Sequence, residues 1–308
     1  MAHRKIIWSV DPFEEIGKHQ QEIFDTLRVF SSQVETSIVP TYVLSPEQLD
    51  LNVDFSPPWL ENYRPATEKA LAERAKVSKL SNLLPPQVVV YNQSSLRGSV
   101  RALASFAKTS EADAIVMGSH GRKGVTRLFM GSFAETLLLE SEVPLIVVGP
   151  EAHQPAQIKR ILFPTDLTEK SSVVYDRVLD MTKDLGAELT LLNVIPKPLE
   201  PVFQSGVYLL SGGWVTVPAF LETQEKSNRS LLNQWAEKGI SAGVKVNTLI
   251  DAGSSSVVES ILSHIDNQQI DWVCMAAQSG PIASALIGSV TRQTLRHSSR
   301  PLWVLHSP

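Results

Sequence analysis

Gly118-Ser119-His120-Gly121 stands directly behind the apolar run Ala114-Ile115-Val116-Met117, and after nine intervening residues the chain reads Gly131-Ser132. A strand that empties into glycines, followed by a helix opened by Gly-Ser, exposes backbone N–H groups and a helix N-terminus, both of which attract phosphate. Between them, Arg122, Lys123 and Arg127 put three cations where a triphosphate needs them. Ser132 adds a hydroxyl in the first turn of the following helix. The pattern points to nucleotide binding. His120 lies inside the turn and is either a phosphate contact or a solvent-facing turn residue. Asp11 closes another apolar run, Ile6-Ile7-Trp8-Ser9-Val10. Its carboxylate can accept hydrogen bonds from hydroxyls or an amine; it can also serve as a helix N-cap, since Asp-Pro at a strand-to-helix turn is a common start signal.

Other chemistries fit less well. A dehydrogenase fingerprint puts Gly-x-Gly-x-x-Gly straight after the first strand, and Ser9-Val10-Asp11-Pro12-Phe13-Glu14 contains no glycine. No Gly-x-x-x-x-Gly-Lys-Ser/Thr occurs, which disfavours a P-loop ATPase. The histidines at 3, 19, 120, 153, 264, 297 and 306 show no metal-ligand spacing with one another or with Cys274, the one cysteine. Cys274 falls in the apolar run Trp272-Val273-Cys274-Met275, where a packed thiol is expected. No Ser-His-Asp arrangement follows from spacing, so no enzyme with a dedicated nucleophile is expected, and no catalytic or metal-ligating residues are assigned.

The elements that must position these residues come in duplicate. The chain has 308 residues, about twice a usual domain. Arg4-Lys5-Ile6-Ile7-Trp8-Ser9-Val10-Asp11 corresponds to Lys159-Arg160-Ile161-Leu162-Phe163-Pro164-Thr165-Asp166, and Ala112 to Met117 corresponds to Ile270 to Met275. Gly131-Ser132 matches Gly288-Ser289, and Val143-Pro144-Leu145-Ile146-Val147-Val148 matches Arg300-Pro301-Leu302-Trp303-Val304-Leu305. The reading is one domain duplicated, 1–150 and 158–308, joined by the polar, proline-bearing seam 149–157. Strands are expected near 4–10, 35–43, 87–91, 113–118 and 144–149, with helices near 12–31, 60–83, 96–109 and 131–141. The second copy gives strands near 160–165, 188–195, 244–250, 271–276 and 301–306, with helices near 169–185, 219–239, 254–267 and 288–298. Short apolar runs alternating with helical patterns predict an α/β fold: two tandem doubly wound domains, each a five-stranded parallel sheet with helices on both faces. Ligands of such sheets sit at the carboxyl ends of the strands, where the strand order reverses. Asp11 and the Gly118 turn both lie at such ends.

Composition narrows the partners. With 43% hydrophobic and 19% charged residues and a net charge of −4, the chain carries no basic run that suggests nucleic acid. Its apolar stretches are far shorter than the roughly 18 to 20 residues needed to span a bilayer. The apolar segment before Asp11 is also too short for a secretory leader, so the cytoplasm is the expected location.

The spacing Gly-x-x-Gly, nine residues, Gly-Ser resembles the ATP-binding signature of the universal stress protein family, and the resemblance extends over the whole chain as a tandem pair. It implies that Asp11 lies at the adenine or ribose end and that Val43 offers backbone hydrogen bonds to adenine. Gly118, Gly121, Gly131 and Ser132 would hold the phosphates, with the Phe133 N–H nearby and Arg122 and His120 in reach. ATP is the implied ligand, with Mg²⁺ accompanying it and at most slow hydrolysis. The resemblance also implies that the surface through which single-domain relatives dimerise becomes an intramolecular contact here, formed by the final strands, with Trp303 buried.

The two copies depart from the pattern in opposite ways. The first strand of the first copy ends Asp11-Pro12-Phe13, where the second has the more typical Asp166-Leu167-Thr168. In the second copy Ala276-Ala277-Gln278-Ser279 replaces Gly-x-x-Gly and the loop cations are gone. Each added Cβ narrows the approach to phosphate and Pro281 removes a donor, so ATP is expected in the first copy alone. A second possibility is a scaffold or a binder of another ligand, motivated by the apolar connection 196–221. That connection would cap the second pocket, make a subunit contact and so a homodimer, or fold onto its own domain.

Overall fold

The computed structural model describes residues 3–47, 57–119, 131–197, 207–208, 214–215, 217–278 and 288–307. They belong to two compact units, Met1–Ile158 with Ala276–Pro308, and Lys159–Met275.

In the first unit, strands β1 (Arg4–Ser9), β2 (Thr36–Leu44), β3 (Gln87–Val90), β4 (Ala114–Gly118) and β5 (Leu145–Val148) are accompanied by helices α1 (Lys18–Gln33), α2 (Pro57–Glu61), α3 (Arg64–Ser78), α4 (Leu96–Thr109) and α5 (Ser132–Glu140). The strands run parallel in the order β5-β4-β1-β2-β3. The chain thus builds outward from β1 on one side, then crosses to β4 on the other, and the order reverses between β1 and β4. Ile6, Ile7 and Trp8 are wholly buried, as the centre of a parallel sheet requires, each contributing roughly 2 kcal/mol of apolar burial. Trp8 meets Phe24 of α1 edge-on, with ring centroids 5.5 Å apart.

The second unit repeats the scheme. Strands β6 (Arg160–Pro164), β7 (Glu188–Pro196), β10 (Lys245–Ser254) and the start of β11 (Trp272–Gln278) are parallel in the order β10-β7-β6-β11. They are joined by α6 (Glu169–Leu185), a short hairpin of β8 (Val207–Tyr208) and β9 (Trp214–Val215), α7 (Val217–Ser241) and α8 (Val257–Asn267). The two aspartates that precede the fourth strand of each copy make the same bond. Asp113 accepts the Lys5 N–H at 2.8 Å, and Asp271 accepts those of Lys159 and Arg160 at 2.8 and 2.9 Å.

The chain's last elements, α9 (Ser289–His297) and β12 (Leu302–Ser307), lie in the first unit. There β12 pairs antiparallel with β5, placing Leu302 opposite Val147, Trp303 opposite Ile146 and Val304 opposite Leu145. The final strands of the two copies meet as expected, and Trp303 is buried at 3% exposure.

Three elements differ from the sequence expectation. Helix α1 begins at Lys18 rather than near residue 12, because Asp11 Oδ1 accepts the Phe13 N–H at 2.9 Å and closes a local turn. The N-cap of α1 is therefore Gly17, and the alternative role of Asp11 as that cap falls away. The helix expected over 60–83 is split into α2 and α3, since Pro65 has no N–H to continue the ladder onto the Glu61 carbonyl. Strand β10 runs on to Ser254 through a register shift at Gly253, whose φ of +85° lies in the region glycine adopts without strain.

Candidate functional site

The reversal point between β1 and β4 brings several of the sequence candidates to one end of the first unit's sheet. Asp11 follows β1, Val43 lies near the end of β2, Gly118 ends β4, and Gly131 and Ser132 open α5. The two ends of the 119–131 connection are tied together. Ser119 N–H donates to the Val148 carbonyl at 2.9 Å, and Gly131 N–H donates to the Ser119 carbonyl at 2.8 Å. Helix α5 therefore starts at the carboxyl edge of β4.

That start has the general character of a helix N-terminus, which favours negative charge. Gly131 is the N-cap, with no side-chain hydrogen bond closing the first turn. The N–H groups of Ser132 and Phe133 have no carbonyl partner within the helix, and the positive end of its dipole lies among them. Ser132 is exposed. The one acid of the first turn, Glu135, is met by Arg292 of α9, with Nε 3.3 Å from Oε1.

Val43 is placed by strand alternation. Thr41 accepts the Val10 N–H at 3.0 Å, so Thr41 and Val43 both point their backbone groups toward β1, whereas Leu44 accepts from Tyr91 on the β3 side. The ladder between β1 and β2 ends at Ser9 opposite Thr41, and Val43 lies beyond it. Its N–H and C=O are thus directed into the space past the end of β1.

Gly118 has a packing role of its own, beside the phosphate contact expected of it. A Cβ there would stand 2.5 Å from His19 Nε2 and 3.0 Å from Ile23 Cδ1, both on α1. The glycine lets α1 cross close over the end of β4, and α1 fills the space a side chain would take. His19 itself was missed by sequence reasoning, which weighed it only as a metal ligand. With α1 starting at Lys18, His19 falls in the first turn, over the reversal point.

Arg74 of α3 is a second residue the sequence did not flag. It is 7% exposed and donates through Nη2 to the Pro12 carbonyl at 3.2 Å and to the Glu14 carbonyl, clamping the turn that carries Asp11. Burial lowers its pKa, partly offset by the nearby Glu14 and Asp11 carboxylates. His120, Gly121 and Arg122, together with Lys123 and Arg127, lie outside the described residues.

In the second unit the equivalent ends are occupied by their own polar groups. Asp166 accepts from Thr168 Oγ1 at 2.8 Å, Thr168 N–H at 3.1 Å and Ser171 Oγ at 2.6 Å, and Thr168 caps α6. Burial raises the Asp166 pKa, but those hydrogen bonds together outweigh it and hold the carboxyl below its ordinary value. Asn193 on β7, 3% exposed, donates to the Thr165 carbonyl at 2.9 Å and accepts from Asn228 of α7 at 2.8 Å. The degenerate turn is described as far as Gln278; residues 279–287 lie outside. Of the apolar connection 196–221, the hairpin β8–β9 and the start of α7 are described.

Cys274 is fully buried, and burial pushes its thiol pKa well up. Among the described residues no group of three or more His, Cys, Asp or Glu is arranged to hold a metal ion, and no helix is long and apolar enough to cross a membrane.

Known proteins share this architecture. A universal stress protein from Archaeoglobus fulgidus superposes with a TM-score of 0.60 at 14% identity, covering 99% of this chain and 98% of that one. A Pseudomonas aeruginosa protein of unknown function superposes at 0.58 with 12% identity, over 99% and 92% of the two chains. In sequence, a Staphylococcus aureus (strain USA300) protein described as a universal stress protein is 27% identical over 144 residues, 46% of this chain and 79% of the relative. The profile of the universal stress protein family matches residues 33–149 and again 157–306. With both halves of the chain matched in tandem, this protein belongs to the universal stress protein family.

Proposed function

We propose that this chain binds ATP in its first repeat and acts as a cytoplasmic, nucleotide-responsive regulatory protein rather than as an enzyme. The observation that carries the reading is the glycine N-cap of α5, tied at Gly131 to the end of β4 behind an intact Gly-x-x-Gly. Phosphates would lie on the Ser132 and Phe133 N–H groups and the Ser132 hydroxyl, with Gly121, His120, Arg122 and the other loop cations supplying further contacts. Adenine would be read by the backbone of Val43, and Asp11, held by its own turn, would face the ribose. Magnesium would arrive on the phosphates. The second repeat, with its strand-end polar groups engaged by one another, serves as a structural partner.

Native mass spectrometry of gently purified protein tests the reading. An adduct of one ATP mass per chain, removed by exhaustive dialysis and restored by added ATP, is the expected result. A chain that remains at its bare mass in excess ATP would refute it.

A further inference from the structure

We infer that the face formed by α5 and β5 is built to accept the second repeat's α9 and β12 and to reject another copy of itself. The duplication displaces equivalent positions by 157 residues here, as Gly131 is displaced from Gly288 and Leu145 from Leu302. By that rule Trp303 is the equivalent of Ile146, and these two stand opposite each other. Arg292 is the equivalent of Glu135, and these two also meet, Nε to Oε1 at 3.3 Å. A pseudo-twofold axis therefore passes through both pairs. On such an axis a residue contacts its own equivalent, so in a self-pairing of identical repeats it would face itself.

The ladder shows which positions discriminate. The pairs flanking Ile146 and Trp303 are Leu302 with Val147 and Val304 with Leu145, the same Leu–Val combination on both sides. Those would fit two first repeats or two second repeats equally well. The axial positions would not. Two first repeats would put Glu135 against Glu135 and Ile146 against Ile146, a like-charge pair above a gap left by the missing indole. Two second repeats would put Arg292 against Arg292 and two indoles into a space where one is now 97% buried. Complementary charge and complementary size at the axis select the mixed pair, and repulsion and misfit oppose both alternatives.

Charge inversion in the full chain tests this, read by amide exchange of residues 145–148 and 302–304. Glu135→Arg and Arg292→Glu each create a like-charge axial pair and should speed that exchange about three- to ten-fold, the scale of a partly exposed ion pair lost and replaced by repulsion. The double variant E135R/R292E restores the pair in reverse and should return exchange to within about two-fold of the parent. Parent-like exchange in both single variants, or a double variant no slower than the singles, would overturn the inference. The buried axis is tested in the same way by thermal midpoint. I146W should fall below the parent and I146W/W303I should recover most of the loss; a double variant at or below I146W would contradict the size argument. Misfolding of I146W leaves the charge cycle decisive, because its side chains are partly exposed rather than in the core.

Discussion

The buried His306 donates a 2.7 Å hydrogen bond from Nε2 to the carbonyl oxygen of Leu138, joining strand β12 of the second repeat to the last turns of α5. Carbonyls at a helix end lack intrahelical partners, so this bond satisfies a group that burial would otherwise leave orphaned. On the same helix, Glu140 is held by Arg97 at 2.9 Å and Arg101 at 2.8 Å from α4, and Glu135 by Arg292. The helix proposed to receive the phosphates is thus braced at both ends, and partly by residues of the repeat that carries the degenerate signature.

That bracing makes Arg292 matter to the ligand. Arg292→Ala leaves the Glu135 carboxylate without its Arg292 partner in the first turn, beside the proposed phosphate site. We expect ATP affinity to fall about three-fold, roughly 0.6 kcal/mol, and Glu135→Gln added to it to restore the parent value. Titration calorimetry reads both variants; an unchanged affinity in Arg292→Ala would show that the pair has no influence on the site.

Cys274 should be inert. Its thiol is wholly buried with its pKa pushed up, so a thiol-specific reagent should label the native chain at least ~100-fold more slowly than the denatured one. Comparable rates in the two states would contradict the packing of β11.

Asp166 predicts an acid-side effect. A carboxyl held below its ordinary pKa contributes stability that is complete above that ordinary value, near 4, and is lost as pH falls through the lower folded value. The thermal midpoint of Asp166→Asn should therefore lie below the parent's at neutral pH, with the gap closing below about pH 4. A gap that stays constant or widens on acidification would refute the role given to its hydrogen bonds from Ser171 and Thr168.

Much of this fold was legible because parallel strands, buried on both faces, read as unbroken apolar runs. Helices with a side-chain cap were equally plain: Ser95 accepts from Gly98 N–H before α4, and Thr168 from Ser171 N–H before α6. The start of α1 was not, since Asp11-Pro12 resembles a helix signal until the side chain is seen closing on Phe13. The site was legible in its glycines but not in their reasons. Gly131 opens α5 as its spacing suggested, whereas the small size of Gly118 also answers to His19 and Ile23, neighbours that only the tertiary fold brings to it. Arg74 and His19 carried no local signal, because each acts on a turn or strand remote in the chain.

The reason Gly118 is small makes Gly118→Val a poor probe of the ligand, since it would disturb α1. Gly131 is the better one: its φ of −62° and ψ of 143° are open to any residue, so a side chain there strains no backbone. Calorimetric titration of the full chain with ATP and Mg²⁺, for parent and Gly131→Val, therefore tests the central claim most directly. One site per chain in the parent, weakened at least about ten-fold in the variant with its thermal midpoint preserved, is the predicted result, a loss of about 1.4 kcal/mol or more. No heat in the parent, two sites per chain, or undiminished affinity in Gly131→Val would contradict ATP binding at the N-terminus of α5.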